Sequence, residues 1–396
     1  MSSLRAVAPV VFGAELGAGF GHVRRLLPLA RAVREAGHRA IFFAGNPREI
    51  APLLEDEAFE VRAAPTAAIS GPSRPPGGGA VTFGDILGAA GFADRERLVA
   101  AARAWDDSLA AVRPVAVVCE LSPFLCLAAA GGDIPLLSTG HGFILPPPDG
   151  AAFPPLYEGG PRFAEPELLA NVNHACQVRG RVPLAALPRL LHGSAYAVTG
   201  LAVLDPYREL RREPPVGPPA LACRPTTVAA TEDLFGYLVG DAPTTTSILL
   251  GWVTSGMTGR VFVRRPRPEQ RAIVAASSRI VWLEAPAPIQ EAIDRADLVL
   301  HHGSMLLTEE ALVAGRPQLV APVYLEHLFT ARALARMGVA GVIRPGLEPE
   351  AIAAAMTAAA ADRDAKGAAR AFSGAHAELG QDPELPHRLV RMVLAR

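Results

Sequence analysis

Three histidines and one glutamate follow apolar runs or tight glycine-rich turns, where side chains can do chemistry. His22 follows the glycine-rich stretch GAELGAGFG of residues 13–21, and Glu120 follows the apolar run VAVVC. An imidazole titrates near neutral pH and suits a general base, and a neighbouring carboxylate would orient the ring and stabilise the imidazolium. His301 and His302 end the apolar run ADLVL and precede a helix-like segment. These positions predict acid–base chemistry at one site and anion binding at another.

The pair of adjacent histidines raises the question of what each ring faces. Neighbouring residues on a strand point to opposite faces, so at most one of His301 and His302 enters a site. The helix predicted from Met305 would offer its free N–H groups and dipole to a phosphate, and a histidine could add a further donor. Plainer roles stay open: His22 solvated at a helix start, Glu120 capping the next helix, and the two histidines bonding the backbone.

The glycine-rich stretch is not a dinucleotide fingerprint. Gly17 and Gly19 have the required spacing, but His22 occupies the place of the third glycine. The second predicted strand ends in Ala44 and is followed by Gly45 and Asn46, without the acidic residue that binds a ribose. The sequence also lacks a phosphate loop with Gly-Lys-Ser/Thr. NAD or ATP binding is therefore disfavoured.

Two other kinds of catalytic centre are also disfavoured. No cysteine or carboxylate stands at ligand spacing from the paired histidines, so the sequence predicts no metal site. Ser194 and Ser255 lack the setting of a nucleophile elbow. The free cysteines show neither metal nor disulfide spacing and are interpreted as small buried hydrophobes; they are Cys119, Cys126, Cys176 and Cys223.

Composition excludes several classes of protein. Half of the 396 residues are apolar, 19% are charged and the net charge is −1. The arginines are scattered and Lys366 is the single lysine, so no basic face for nucleic acid is expected. No apolar run reaches the ~18 residues that span a bilayer, and the N-terminus does not read as a signal peptide. We expect a cytoplasmic protein of two to three domains.

Short apolar runs alternate with segments of helical periodicity. The predicted strands lie at residues 6–13, 40–44, 115–119, 134–138, 226–230, 261–264, 280–283, 297–301 and 318–321. The predicted helices lie at residues 22–36, 93–111, 122–130, 267–275, 288–294, 305–314 and 324–337, with an alanine-rich helical tail from 348. This alternation favours α/β domains with parallel sheets covered on both faces, in which ligands bind beyond the carboxyl ends of the strands.

Proline- and glycine-rich stretches divide the chain. The long loops 65–82 and 145–166 interrupt the first half, and loops of this length in a compact domain are often functional. Residues 205–225 are rich in proline and predict a linker. The predicted domains are 1–204 and 226–380, and residues 381–396 are expected to form a C-terminal helix that packs back on the first domain.

Two stretches together resemble a known family. GFGHVRRLLPLARAVREAGHRAIFFA carries a Gly-His, Pro, Leu-Ala, Gly-His pattern. ADLVLHHG and, further on, EEALVAGRPQLVAPVYLEHLFTARALARMGVA carry His-Gly, Glu-Ala-Leu, Ala-Gly-x-Pro, a later proline and a polar pair. These patterns resemble the nucleotide-sugar-dependent glycosyltransferases of the glycosyltransferase-B fold, in particular bacterial relatives of the UDP-glucuronosyl, flavonoid and macrolide enzymes. The resemblance covers nearly the whole chain and implies two doubly wound, Rossmann-like α/β domains facing across a cleft. Residues 1–204 would bind the acceptor and residues 226–380 the nucleotide-sugar donor.

The resemblance also implies roles for individual residues. His22 would be the general base that deprotonates the acceptor, and Glu120 its acidic partner, which is usually an aspartate. TFGDILGAAGF and STGHGFILPPP resemble stretches of some bacterial members. Residues expected beside the acceptor are Gly19, Gly21, His141 and Phe143. Residues expected to bind the donor are His302, Gly303, Ser304 and Thr308 at the diphosphate, Glu310 at the ribose, and Glu326 with His327 at the sugar hydroxyls.

The sequence departs from the family's donor-site pattern in one loop. Ser304, Met305, Leu306 and Leu307 stand where the family has Gly-x-Gly-Thr, which replaces phosphate-cradling glycines with bulkier residues. His327 replaces a glutamine of the polar pair. Trp282 precedes the position where plant members stack the base, and core packing is the favoured interpretation for this strand aromatic.

The sequence as a whole predicts an inverting, metal-independent glycosyltransferase. It would move a sugar from a UDP- or TDP-sugar to a small-molecule acceptor, with no tightly bound cofactor, as a monomer or homodimer. Two alternatives stay open at this point: a non-catalytic glycosyltransferase-like binding protein with an altered donor site, and an epimerase of nucleotide sugars on the same fold.

Overall fold

The computed structural model describes residues 8–16, 20–66 and 79–395. The chain divides into two compact units: residues 1–220 together with 382–396, and residues 221–381. The predicted linker, 205–225, is thus divided at Ala220. Gly19 lies outside the described residues, as does much of the predicted loop 65–82.

The first unit alternates strands and helices around one parallel sheet. Its strands are β1 (Pro9–Ala14), β2 (Arg39–Ala44), β3 (Glu60–Ala63), β4 (Ala116–Cys119), β5 (Leu136–Gly140) and β6 (Ala195–Val198). Its helices are α1 (Phe20–Glu35), α2 (Pro47–Glu55), α3 (Phe83–Leu87), α4 (Arg95–Val112), α5 (Pro123–Ala129) and α6 (Glu165–Gln177). The strands are nearly continuous apolar runs because helices cover both faces of the sheet.

The second unit repeats this arrangement. Its strands are β7 (Glu232–Val239), β8 (Gly259–Arg264), β9 (Ile280–Leu283), β10 (Ala296–His301), β11 (Gln318–Val320) and β12 (Ala340–Val342). Its helices are α7 (Thr245–Ser255), α8 (Pro268–Ala275), α9 (Ile289–Arg295), α10 (Met305–Ala314), α11 (Leu325–Arg336), α12 (Pro349–Ala361) and α13 (Arg363–Ala375). The last helix of the chain, α14 (Glu384–Leu394), belongs to the first unit.

Both sheets have the same strand order. Among the described residues each sheet has six strands, ordered β3-β2-β1-β4-β5-β6 and β12-β11-β10-β7-β8-β9. Numbered within its own unit, each sheet follows the order 3-2-1-4-5-6 of doubly wound folds, and every strand pairing is parallel. The order reverses between β1 and β4 in one unit and between β7 and β10 in the other. Ligands of such sheets bind at this switch point, beyond the carboxyl ends of the strands.

The core of the first unit depends on the C-terminal helix. Side chains of β1, β2, α1 and α14 form one buried apolar cluster, to which α14 contributes Leu385, Leu389, Val390 and Val393. On the surface His387 of α14 contacts Glu35 at the end of α1, with 2.8 Å between Nε2 and Oε2. The C-terminal helix α14 is therefore part of the core of the first unit.

Buried carboxylates join the two long loops of the first unit. Asp85, fully buried, accepts hydrogen bonds from the amides of Val81 (2.7 Å) and Thr82 (3.0 Å) on one loop. It also accepts from the amides of Arg162 (2.6 Å) and Phe163 (3.0 Å) on the other loop. Four backbone donors on one carboxylate fix these segments to each other.

Glu165, at the start of α6, adds a second link. Its carboxylate accepts a hydrogen bond of 2.9 Å from the amide of Phe153. The Phe153 ring in turn lies 5.5 Å from that of Phe83 on α3.

The predicted strand at 226–230 is wrong. These residues form no regular structure, and the first strand of the second unit runs from Glu232 to Val239 instead. The predicted strands at 261–264, 280–283 and 297–301 correspond to β8, β9 and β10. Across the described ranges no helix is long and apolar enough to cross a membrane.

Candidate functional site

The structure brings His22 and Glu120 together at the switch point of the first sheet. β1 pairs with β4 in the register Gly13–Cys119, and the Glu120 amide donates to the Gly13 carbonyl at 3.0 Å. Glu120 therefore emerges beside the end of β1. His22 sits in the first turn of α1, and its Nδ1 lies 3.4 Å from Oε1 of Glu120. The structure thus brings together the histidine and the glutamate that the sequence pairs.

Burial distinguishes the two partners of this pair. Glu120 is fully buried, whereas 16% of the His22 side chain is exposed. A carboxylate accepts but cannot donate, so a neutral imidazole that bonds to Glu120 carries its proton on Nδ1. The basic nitrogen is then Nε2, as a general base requires.

Gly140 packs closely against Ile144 and lies beside Glu120. Gly140, at the end of β5, has a φ of +142°. A Cβ atom there would lie 3.4 Å from Cγ of Glu120 and 2.5 Å from Cδ1 of Ile144. A side chain at this position would clash with Ile144 and would touch the methylene part of the Glu120 side chain.

Of the residues predicted beside the acceptor, His141 and Gly21 lie next to this pair. His141 follows β5 and is buried, and its ring centroid is 6.4 Å from that of His22. Phe143 is also buried, with its ring 6.3 Å from that of Phe83. Gly21 lies in the first turn of α1.

The same edge of the sheet holds a second buried carboxylate, Glu15, which was not predicted. It follows β1 and accepts from Nε1 of Trp105 (2.6 Å), Oγ of Ser122 (2.8 Å) and the amides of Phe124 and Leu125 (both 3.0 Å). A further hydrogen bond comes from the hydroxyl of Thr66. Burial raises the pKa of this carboxyl, and these hydrogen bonds lower it. A carboxylate directly after a buried strand was the signal that indicated Glu120, and it applies equally to Glu15.

In the second unit His302 lies at the switch point between β10 and β7. Its Nδ1 is 2.8 Å from the carbonyl oxygen of Ala321, and its Nε2 is 3.2 Å from Oγ1 of Thr245 at the start of α7. Burial lowers the pKa of this imidazole to about 4, and the nearby Asp241 raises it. The contact of His302 with Thr245 was not predicted, because Thr245 lies in a run of three threonines after β7 that carries no distinguishing signal.

His301 has different partners and is fully buried. Its Nδ1 accepts a hydrogen bond of 2.9 Å from the Gly303 amide, so the proton of the ring is on Nε2. Nε2 then donates to Oε1 of Gln318 at 2.8 Å. Burial lowers the pKa of this imidazole to about 3. The neutral ring of His301 therefore stabilises the turn through its bonds to Gly303 and Gln318, while His302 faces Thr245.

The turn into α10 is tight. Gly303 has a φ of +101°, and a Cβ atom there would lie 2.9 Å from Cβ of His327 and 3.0 Å from its backbone. Ser304 is the N-cap of α10, and its side chain makes no capping hydrogen bond. The first N–H groups of the helix have no partner within the helix. Thr308, one turn later, is fully buried.

Glu310 holds the backbone that leads into the second unit. Its Oε1 accepts from the amide of Ala222 (2.9 Å) and its Oε2 from the amide of Cys223 (2.7 Å). Glu326 and His327 lie half-buried in the first turn of α11, with the exposed Tyr324 ring 5.1 Å from that of His327.

Trp282 packs as a core residue. Its half-buried ring lies against the apolar cluster of the second unit, and the Arg271 guanidinium covers it at 4.9 Å. Glu284 holds that arginine through two hydrogen bonds of 2.6 and 2.7 Å. Over residues 8–16, 20–66 and 79–395 there is no group of three or more His, Cys, Asp and Glu side chains that could hold a metal.

Two doubly wound units, each with polar groups at its switch point, define the glycosyltransferase-B fold, and solved structures of glycosyltransferases share it. Glycosyltransferase VinC in complex with dTDP matches at 17% identity and a TM-score of 0.66, over 98% of this chain and all of that one. CalG4, the calicheamicin glycosyltransferase, matches at 18% and 0.68, over 99% of both chains. Spinosyn rhamnosyltransferase SpnG, complexed with spinosyn aglycone, matches at 17% and 0.61, over 97% and 99%.

At these identities the likeness establishes the fold, and it confirms the prediction of two doubly wound α/β domains. No protein-family model and no curated protein matches the chain.

Proposed function

We propose that the protein is an inverting, metal-independent glycosyltransferase that moves a sugar from a nucleotide diphosphate sugar to a hydroxyl of a small-molecule acceptor. The observation that carries the proposal is the contact of His22 with the buried Glu120 at the switch point of the first sheet. This is where doubly wound folds bind ligands, and a histidine backed by a carboxylate is the arrangement of a general base.

The second unit would supply the donor site. The free amides at the start of α10 suit an anionic diphosphate, and His302 lies beside them. Structures of the same fold carry dTDP, which favours a thymidine or uridine diphosphate sugar here. Glu310 would reach the ribose with the lone pairs left after its bonds to Ala222 and Cys223, and Glu326 and His327 would contact the sugar hydroxyls.

The reaction follows from these groups. Nε2 of His22 would take the proton of the acceptor hydroxyl while the oxygen attacks the anomeric carbon. The bond from that carbon to the diphosphate breaks, and its electron pair leaves on the diphosphate oxygen. Glu120 would stabilise the imidazolium, and the helix amides the leaving group. A single displacement inverts the anomeric centre.

Nucleotide binding is the first test. Purified protein is heated with TDP, UDP or GDP, and we expect TDP or UDP to raise the melting temperature. No shift with any of the three would refute the transferase and favour a protein whose donor loop no longer binds nucleotide.

Turnover is the second test. TDP-glucose or UDP-glucose is incubated with a panel of phenolic and macrolide acceptors, and we expect a glycoside of inverted anomeric configuration by NMR, formed equally in EDTA. Retention of configuration or loss of activity in EDTA would contradict the mechanism. Interconversion of the sugar without any acceptor would favour an epimerase.

A further inference from the structure

When the Thr245 hydroxyl points at the Val239 carbonyl, the site of His302 is one proton short. The Ala321 carbonyl accepts and cannot donate, so Nδ1 at 2.8 Å must carry a proton. On the other side the Thr245 hydroxyl lies 2.6 Å from the Val239 carbonyl, to which it donates its single hydrogen. The same oxygen is 3.2 Å from Nε2. With a neutral ring, two lone pairs then face each other inside a buried site.

Two arrangements relieve this conflict. The hydroxyl can turn to Nε2, since the Val239 carbonyl also accepts from the Ala242 amide at 3.1 Å. Alternatively the ring takes a second proton and donates from Nε2 to the threonine oxygen. The shorter distance to Val239 favours the second geometry, and burial opposes its charge as long as no anion is near.

The charged and titratable groups around the ring come from three elements. Asp241, in the loop after β7, favours the protonated form, whereas His327 at the start of α11 disfavours it. His301, beside it on β10, is held neutral by Gln318 and the Gly303 amide. With a single carboxylate opposing burial, an added anion is what would shift the balance.

We propose that the second unit binds the diphosphate of a sugar nucleotide together with one proton, which His302 takes on Nε2 while the oxygen of Thr245 accepts the new N–H. Thr245 is then a positioning residue of the donor site. The inference rests on the proposed function. The proton comes from solvent, and the diphosphate provides the negative charge that holds it. A unit charge about 4 Å away at an effective dielectric constant of ~20 shifts a protonation equilibrium by roughly a thousandfold.

The test measures protons and affinity in the same experiment. TDP-glucose is the probe, because its phosphates are both esterified and keep a constant charge around neutral pH. Calorimetric titration in two buffers of different ionisation enthalpy gives the number of protons bound. Near pH 6 we expect uptake approaching one proton, and a Kd that falls about tenfold from pH 7.5 to pH 6. Binding without proton uptake and with a pH-independent Kd would overturn the inference.

Three variants assign the effect. His302→Gln should abolish the uptake and make the Kd independent of pH. Thr245→Val, of nearly the same shape, should weaken binding about tenfold near pH 6 and hardly at all at pH 8.5, since only the charged ring needs its oxygen. Thr246→Val is the matched control, because the Thr246 hydroxyl accepts from Gln270 at 3.2 Å, and it should keep the wild-type pH profile.

The outcomes separate this inference from the proposed function. A thermal shift with TDP together with proton-free binding of TDP-glucose leaves the transferase intact and refutes the proton-coupled site. A Thr245→Val profile identical to that of Thr246→Val refutes the role of Thr245. Absence of any binding, by TDP-glucose or by free nucleotides, overturns both proposals. Circular dichroism spectra matching the wild type are required of each variant.

Discussion

Glu15 and Glu120 are two buried carboxylates at neighbouring strand ends with opposite surroundings. Glu15 follows β1 and accepts five hydrogen bonds, two of them from the amides that begin α5. These bonds connect the end of β1 to α4 and to the start of α5, so Glu15 has a structural role. Glu120 follows β4 and faces the imidazole of His22. This difference in surroundings is why we assign the proposed chemical role to Glu120 and a structural one to Glu15.

Replacement of the proposed base should separate catalysis from binding. We expect His22→Ala to lower kcat by about 10²–10⁴-fold, the usual contribution of a general base, with the Kd for TDP unchanged. His38→Ala is the control, because the ring of this histidine of the same unit bonds to a backbone carbonyl, that of Ala8, at 3.0 Å. The measurements are steady-state kinetics and nucleotide titration. Loss of TDP binding in His22→Ala would mean that the roles of the units are reversed.

Gly303 offers a matched comparison with a second glycine of positive φ. Both Gly303→Ala and Gly338→Ala force a residue with Cβ into the left-handed region, at about 1 kcal/mol each. Only at Gly303 does the new Cβ meet a neighbour, His327, since nothing lies within 4 Å of Gly338. We expect both variants to lose some thermal stability and Gly303→Ala alone to bind TDP about tenfold more weakly. Equal affinities in the two variants would contradict a role of this turn in donor binding.

At the residue scale the sequence indicates part of the site. The contact of His22 with Glu120 follows from two strand ends and a neighbour relation that doubly wound sheets share. The partners of His302 do not follow, because Thr245 and Ala321 join it through folding from positions far along the chain. These partners are set by which groups the folded sheet brings to its switch point.

Among the elements, the pairing of the two long loops depends on Asp85. Asp85→Asn keeps the shape but turns an amide N–H₂ toward some of the four backbone donors. We expect a loss of about 2–4 kcal/mol, since buried donors lose a charged acceptor, and therefore a fall of roughly 5–15 °C in the melting temperature of the first unit. Asp94→Asn is the control, because Asp94 also caps a helix, accepting from the Arg97 amide at an exposed site.

Scanning calorimetry gives the melting temperature of the first unit in both variants. An equal, small change in the two would show that the four hydrogen bonds of Asp85 contribute no more than an ordinary cap. In that case the loops would be joined mainly by their aromatic side chains.

The error in the first strand of the second unit has a physical cause. β7 begins with Glu232 and Asp233, two charges that argue against a buried strand in the sequence. In the fold Glu232 accepts from Arg260 at 2.8 Å, and Asp233 accepts from the amide of Thr258 at 2.7 Å. Both partners lie in the next strand or just before it. The charges become acceptable only once the sheet has formed, whereas the short apolar run before them resembles a strand in isolation.

For the whole molecule, acid should destabilise the second unit. The pKa values of His301 and His302 are lowered to about 3 and about 4 in the folded protein, below the ~6.5 of an unfolded histidine. Unfolding therefore takes up protons as the pH falls below that value, and stability present at neutral pH is lost toward pH 4. Two histidines give a slope of roughly 2.7 kcal/mol per pH unit. His302→Gln should halve this slope in calorimetry at several pH values, and an unchanged slope would contradict the burial of the ring.

The C-terminal helix should control the stability of the first unit, although the second unit precedes it in the chain. Leu389 is buried among α1 and the strands, whereas Met392 of the same helix is exposed. We expect Leu389→Ala to cost about 2–5 kcal/mol and Met392→Ala less than about 1 kcal/mol. If the units melt separately, we expect TDP to raise the transition of the second unit, which would identify it. The cavity left by Leu389 lies in the other core, so Leu389→Ala should lower only the transition that does not respond to TDP. A fall of the TDP-responsive transition by the same amount would show that the two units unfold as one.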